Sequence, residues 1–200
     1  MARHGRVGCV KMKANPSWQS AAVILNSLVF FITLAAMEGV AFLAHKYLMH
    51  GWGWGWHRSH HEPRTGWFEK NDLYAVVFAG LAIVLIALGT QGLHPLEWIG
   101  AGMTAYGVLY FVVHDGLVHR RWPFNVVPRR GYLKRLYQAH LMHHAVPGKD
   151  RCVSFGFLIA PSTARLRAQL RELHQGPLRK SAPADSTTAP NASATAASEP

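Results

Sequence analysis

Three features of the sequence predict an all-α, polytopic membrane protein with about three transmembrane helices. Half of the 200 residues are hydrophobic and only 16% are charged. The apolar residues gather into runs long enough to cross a bilayer. Ten of the 13 histidines stand at or just beyond the ends of those runs, in a pattern with helical spacing.

The first run, Ser20–Ala44, carries Glu38 as its only charge. At 1.5 Å per residue its 25 residues span about 37 Å. Its basic lead-in resembles a signal peptide, but the run exceeds the usual apolar core of one and lacks a convincing cleavage site, so it is read as retained. Leu73–Leu93 has no charged residue, and Ile99–Val113 is apolar again after Glu97. The link Gly89–Trp98 contains no Lys or Arg, whereas 13 of the 21 basic residues lie between Arg120 and Lys180. The positive-inside rule therefore puts the link outside and the later segment in the cytoplasm. Leu73–Val113 becomes a hairpin that returns the chain to the face it left. The net charge of +11 would point to nucleic acid in a soluble protein; here it reports topology, and no nucleic-acid partner is expected. Arg3, Arg6, Lys11 and Lys13 oppose an outside N-terminus. A re-entrant first helix would remove that conflict, but a full span is preferred because it leaves both halves of the histidine pattern on one face. The expected organisation is a basic arm (1–19), a membrane domain (20–174) and a disordered tail (175–200) of Pro, Ala, Ser and Thr without aromatic residues.

The histidines form two copies of one code, His-x4-His followed by His-x2-His-His: His45, His50, His57, His60 and His61, then His114, His119, His140, His143 and His144. Residues at i, i+3 and i+4 share a helix face, and neutral imidazole is a common ligand for iron, zinc and copper. The i, i+5 pairs fit an α-helix poorly, since five residues turn it about 500°. Either the helix widens locally to a π-type turn or it ends there, and Gly51 and Gly116 favour a break. Ten donors exceed what one ion accepts and suit two metals with about five nitrogens each. No Glu-x-x-His pair of the soluble di-iron bundles occurs in the clusters, nor a His-Glu-x-x-His string. Bis-histidine haem would leave most of these histidines unexplained. His4, His94 and His174 stand outside the code.

With their flanking strings, HGWGWGWHRSHHEPRTGWFEKNDLYAVVFA at 50–79, FVVHDGLVHRRWPF from 111 and RLYQAHLMHHAVPGKDRCVSFGF up to 157, the boxes resemble the membrane-bound fatty-acid hydroxylase superfamily of non-haem di-iron oxygenases. Within it they are most similar to the bacterial enzymes that act on carotenoids. The resemblance covers roughly residues 20–162. It implies two iron ions (Fe2+) on the ten histidines, O2 as co-substrate, and β-carotene and related carotenoids as substrates. It further implies oxygen insertion at C3 and C3′ of the β-ionone rings to give β-cryptoxanthin and zeaxanthin. An electron donor such as reduced ferredoxin, membrane lipid as surroundings, and a multi-pass position in the bacterial inner membrane with the site facing the cytoplasm complete the expectation. A desaturase or hydroxylase of another lipid would use the same metal pair. A metal transporter would place ligands near mid-span, unlike these.

Other residues carry paired readings. Asp115 either orients the His114 imidazole or is a solvated helix-end carboxylate. Gly51–Trp56 is an interfacial turn with Trp anchors, a bend that turns two boxes toward one metal pair, or both. Arg120, Arg121, Arg129, Arg130 and Lys134 either grip anionic headgroups or dock a small acidic electron donor. Glu38 is a costly intramembrane carboxylate, which marks function, about two turns from His45. Trp52, Trp54, Trp56, Trp67, Phe68, Tyr106, Tyr110 and Phe111 are candidates for a hydrophobic tunnel. Glu62-Pro63 ends the helix of the second box. Val153–Ala160 is too short to span and packs under the site or dips into the membrane, and Ala164–His174 reads as a surface helix. Cys9 and Cys152 read as free thiols.

Overall fold

The structure, a computed structural model, describes residues 16–64, 66–123 and 126–175. The basic arm with His4 and Cys9, and the tail from residue 176, lie outside the described residues. Every regular element among the described residues is helical: α1 (Pro16–Leu43), π1 (Ala44–Trp52), α2 (Trp54–His61), α3 (Asp72–Thr90), α4 (Leu96–Tyr110), π2 (Phe111–Val118), α5 (Gly131–His144) and α6 (Thr163–Gln175). Helix α6 thus includes Gln175, one residue into the segment read as tail.

Three continuous helices are long and apolar enough to cross a membrane: Trp18–Trp52, Asp72–Thr90 and Leu96–Val118. They turn most of their apolar surface outward; Ile24, Leu25, Phe31 and Ile32 of α1 are all exposed. That is the arrangement lipid contact requires and water would penalise. Helix α4 packs between α1 and α3. Two glycines set the approach: a Cβ on Gly102 would stand 2.8 Å from the Phe30 carbonyl of α1, and one on Gly100 2.7 Å from the Ala82 carbonyl of α3. Small residues at such crossings let dispersion contacts form in a solvent that offers no hydrophobic drive.

All four histidine boxes lie at one end of this bundle, with α2, α5, α6 and the 145–162 segment packed there as a cap. The expected hairpin therefore brings the two halves of the code together. Leu136 and Ala139 of α5, Val153, Ala160 and the fully buried Leu166 of α6 form a small apolar core. Leu166 and Leu170 of α6 are thus turned on α5, while Leu173 stays exposed. Arg121 also departs from expectation. Its guanidinium grips both oxygens of Asp72 at 2.7 Å, the Trp67 carbonyl at 2.7 Å and Asp115 at 3.3 Å. It pins the start of α3 to the end of π2 and is not part of a free basic patch, whereas Arg120, Arg129, Arg130 and Lys134 are exposed.

Candidate metal centre

The i, i+5 pairs explain both π segments. In a π-helix the backbone bond runs from residue i+5 to residue i, so side chains five apart stack one turn above each other instead of lying about 140° apart. The His119 N–H donates to the His114 carbonyl at 2.9 Å, joining the two histidines of the third box directly. After His50 the chain breaks at Gly51 (φ −104°, ψ −123°) and restarts as α2. Gly53 is needed there for space: the Tyr74 hydroxyl donates to its carbonyl at 2.8 Å, and a Cβ would lie 2.1 Å from that hydroxyl oxygen. Gly116 does not break its helix; it lets the Trp122 ring lie where a Cβ would come within 2.9 Å. Glu62 turns extended and ends α2 as expected.

The ten histidines of the code converge into two groups that cut across the boxes. Ring nitrogens of His45, His50, His57 and His143 lie within 4.8 Å of one another, as do those of His60, His114, His119 and His140. His61 sits with the first group, its ring 4.9 Å from His57 and 5.1 Å from both His50 and His143. His144 sits with the second, its Nε2 2.9 Å from that of His140. The groups adjoin: His61 and His144 stack at 4.4 Å, and His57 and His60 are 5.5 Å apart. In both His-x2-His-His boxes the i, i+4 pair serves one group and the i+3 ring reaches the other. Each half of the code gives four rings to its own group and one to its partner's.

Proton positions follow from the outer contacts. The Nδ1–H of His45, His50 and His143 donates to the carbonyls of Phe155, Lys149 and Val153 at 2.9, 2.8 and 2.9 Å. That of His57 donates to Asn71 Oδ1 at 2.7 Å, that of His60 to Glu69 at 3.1 Å, and that of His114 to Asp115 at 2.7 Å. Asp115 therefore orients a ring, the first of its two readings. With the proton on Nδ1, Nε2 presents a bare lone pair. Yet the Nε2 atoms of His45 and His57, of His50 and His143, and of His60 and His114 face each other at 3.1 Å. Three such proton-free pairs repel unless a cation lies between them. Two nitrogens about 2.1 Å from one ion and at right angles stand about 3.0 Å apart, so the spacing fits a shared first-row metal. Both nitrogens of His61 are buried without a hydrogen-bond partner, as befits a ring that awaits the same kind of contact.

Burial keeps these rings neutral and so available as ligands. It lowers His57 and His119 to about 3 and His61 to about 4. His60, His140 and His143 are held well below the ordinary histidine value, by burial first and neighbouring histidines second. Glu69 is raised by its burial.

Two cavities lie close to the histidines. One of about 470 Å³ lies between α1, α3 and α4 inside the spans, walled by Met37, Ala41, Ala75, Ala79, Met103 and Phe111, with Tyr110 and Phe157 at its inner end. Tyr110 stacks on His114 at 4.4 Å and Phe157 on His45 at 5.1 Å, so these two rings separate cavity from histidines. Of the tunnel candidates, Tyr106, Tyr110 and Phe111 line it. Trp52, Trp67 and Phe68 are exposed instead, Trp54 packs on His50 and His61, and Trp56 on Tyr74. The second cavity, about 740 Å³, is of mixed character: it borders His50 with the charged Lys46, Lys149, Asp150, Arg151 and Glu172 and the apolar Phe42, Phe155 and Leu173. Cys152 lines it as a free thiol, its titration pushed up to about 11 by burial. His94, hydrogen-bonded to Glu97, stands in the loop at the opposite end of the bundle, and His174 is on α6.

Glu69, Asn71 and the carbonyls of 149–155 are functional groups that the sequence reading passed over. Glu69 and Asn71 lie eight and ten residues after His61 in a loop, with no periodic signal to mark them.

The family model for fatty acid hydroxylase matches residues 30–161. A protein of Pantoea ananas named beta-carotene hydroxylase is 70% identical, over 76% of this chain and 86% of that protein. One of the same name from Pseudescherichia vulneris is 59% identical over 89% of this chain and 99% of its own length. A chloroplastic beta-carotene 3-hydroxylase of Arabidopsis thaliana is 39% identical over 72% of this chain and 50% of that protein. No solved structure matches the chain.

Proposed function

From the premise that the chain belongs to the fatty acid hydroxylase family, among the bacterial β-carotene hydroxylases, we propose that it hydroxylates C3 and C3′ of the β-ionone rings of β-carotene. The products are β-cryptoxanthin and then zeaxanthin. Each C–H becomes C–OH at the expense of one O2, two electrons and two protons, and one water leaves. Side chains alone cannot activate O2 for this step; two ferrous ions would supply that chemistry. His45, His50, His57, His61 and His143 would hold one ion, and His60, His114, His119, His140 and His144 the other.

The remaining work falls to the chain itself. The apolar cavity takes up a ring end from the bilayer and excludes water around it. Tyr110 and Phe157 bring the ring edge up to the histidine groups. The Nδ1 contacts fix tautomer and ring angle, and so where each Nε2 points. Electrons arrive from a small acidic donor such as reduced ferredoxin on the cytoplasmic face of the bacterial inner membrane. Exposed Arg120, Arg129, Arg130 and Lys134 offer the complementary charge, and the second cavity, beside His50, gives water and protons a path.

One observation carries the reading: an apolar cavity within the spans is bordered by Tyr110 and Phe157, whose rings stack on His114 and His45 of the histidine cluster. Expression in cells that accumulate β-carotene, followed by pigment chromatography and mass spectrometry, tests it. Gain of one and then two oxygen atoms is the expected result. Loss of two hydrogens would identify a desaturase, and unchanged β-carotene at normal protein levels would overturn the proposal.

A further inference from the structure

Glu38 lies in the first span with its side chain buried, and no basic side chain meets it in the hydrogen bonds it makes. Its partners are instead three consecutive backbone N–H groups. Those of Phe157 and Ile159 donate to Oε1 at 3.0 and 2.9 Å, and that of Leu158 reaches both oxygens at 3.0 Å. The Tyr106 hydroxyl of α4 completes the set, donating to Oε2 at 2.7 Å. A carboxylate held by successive backbone amides is a strong, directional clamp. It ties the 157–159 turn to α1 and α4, two helices that are themselves packed together.

The clamped turn continues directly into the strip that orients the first histidine group. Phe155, two residues before the clamp, takes the His45 proton on its carbonyl, and Val153 takes that of His143. Phe157 donates its amide to Glu38 while its ring stacks on His45 at 5.1 Å and 15°. The Nδ1 protons of the second group are taken elsewhere, by Glu69 and Asp115, and the Phe157 ring meets that group without stacking flat on it, edge-on at 5.3 Å to His114. We propose that Glu38 is a positioning residue for the first group: it fixes the 155–159 backbone and thereby the angle at which His45 and His143 present Nε2. The intramembrane carboxylate is thus retained for an effect exerted through the backbone, one side chain removed from the histidines.

This inference rests on the two-centre reading, and the test separates the two. Full-length protein purified from membranes is titrated with cobalt(II) alone, reading metal bound per chain and the visible absorption of each centre. Backgrounds of His140→Ala and His45→Ala leave the first or the second centre as the principal site. Glu38→Leu in the His140→Ala background should weaken cobalt binding about 10- to 100-fold, the range for losing an outer partner of a ligand. In the His45→Ala background it should change affinity by less than about threefold, and Glu38→Gln, which keeps an acceptor for the turn, should recover most of the loss. A general packing role would lower both backgrounds alike, and that result, or no change in either, overturns the proposal. If Glu38→Leu fails to accumulate, Glu38→Gln combined with Tyr106→Phe carries the same comparison, with a smaller loss expected that is still confined to the His140→Ala background. Failure of the wild type to bind two metals would overturn the two-centre reading instead.

Discussion

His143 offers the sharpest check on the crossed arrangement. It stands beside His144 in the chain, yet its Nε2 lies 3.1 Å from that of His50 and its ring 4.5 Å from His45. Structural four-ligand sites bind zinc with about 10–16 kcal/mol, or about 2.5–4 kcal/mol per donor. Removing one donor should therefore cost about 10²- to 10³-fold in affinity at one centre. His143→Ala also leaves the Val153 carbonyl without its buried donor, a penalty of about 1–3 kcal/mol in stability, which membrane insertion and helix packing should absorb. The decisive assay pairs it with two other substitutions and counts metal by mass spectrometry after dialysis against a moderate chelator. His143→Ala with His45→Ala damages one centre twice and should retain about one metal per chain. His143→Ala with His140→Ala damages both and should retain almost none. The opposite order, with one metal kept by the second pair and none by the first, would refute the crossed assignment and return each box to a centre of its own.

Other outcomes follow from the same geometry. His60→Ala should abolish xanthophyll formation in β-carotene-producing cells at unchanged protein level, while His94→Ala, across the bundle, should leave it near normal; chromatography against immunoblot decides. Gly53→Ala must displace the Tyr74 hydroxyl and should cost about 1–3 kcal/mol, with Tyr74→Phe relieving part of it; thermal unfolding in detergent would measure both. Acid should destabilise the metal-free protein. His57, His61 and His119 titrate at about 3–4 when folded but near 6.5 when unfolded. The unfolded chain therefore takes up more protons as pH falls below about 6.5, and stability drops by up to about 1.4 kcal/mol per pH unit for each such ring. Denaturation followed at pH 7.5, 6.5 and 5.5 should show a small loss by the second value and one about three times larger between the second and the third, and equal stability at all three would contradict the neutral, buried histidines.

Spacing made much of this legible. A ligand pair five apart demands either a break or a π turn, and both π segments occur where the code requires them. Apolar run lengths gave the spans, and the link without Lys or Arg gave the hairpin. What escaped was set by contacts that spacing does not encode. Adjacent histidines look like ligands of one ion, and only the folded contacts, His143 with His50 and His144 with His140, show that the two part company. Backbone carbonyls anchor three rings, and a carbonyl has no residue type to read. Glu38 was marked by its cost in a span, but its backbone partners lie about 120 residues away. The cavity misled for a related reason: sequence draws the eye to large aromatics, whereas room between helices is made by Ala41, Ala75 and Ala79.

The exchange of one ring between the halves also bears on how the molecule is made. His45, His50, His57 and His61 emerge early, and their spans can enter the bilayer while the rest is still being translated. Their fifth member, His143, follows 82 residues after His61, which takes about 4–16 s at common synthesis rates. The second group in turn waits on nothing later than His144, having had His60 from the start. Neither cluster can close until α5 has left the ribosome and folded back, and then both close in one movement. A chain truncated before residue 143 would hold four imidazoles in each place, each group lacking its last member. The emergence of α5 is thus the step that completes both histidine groups together.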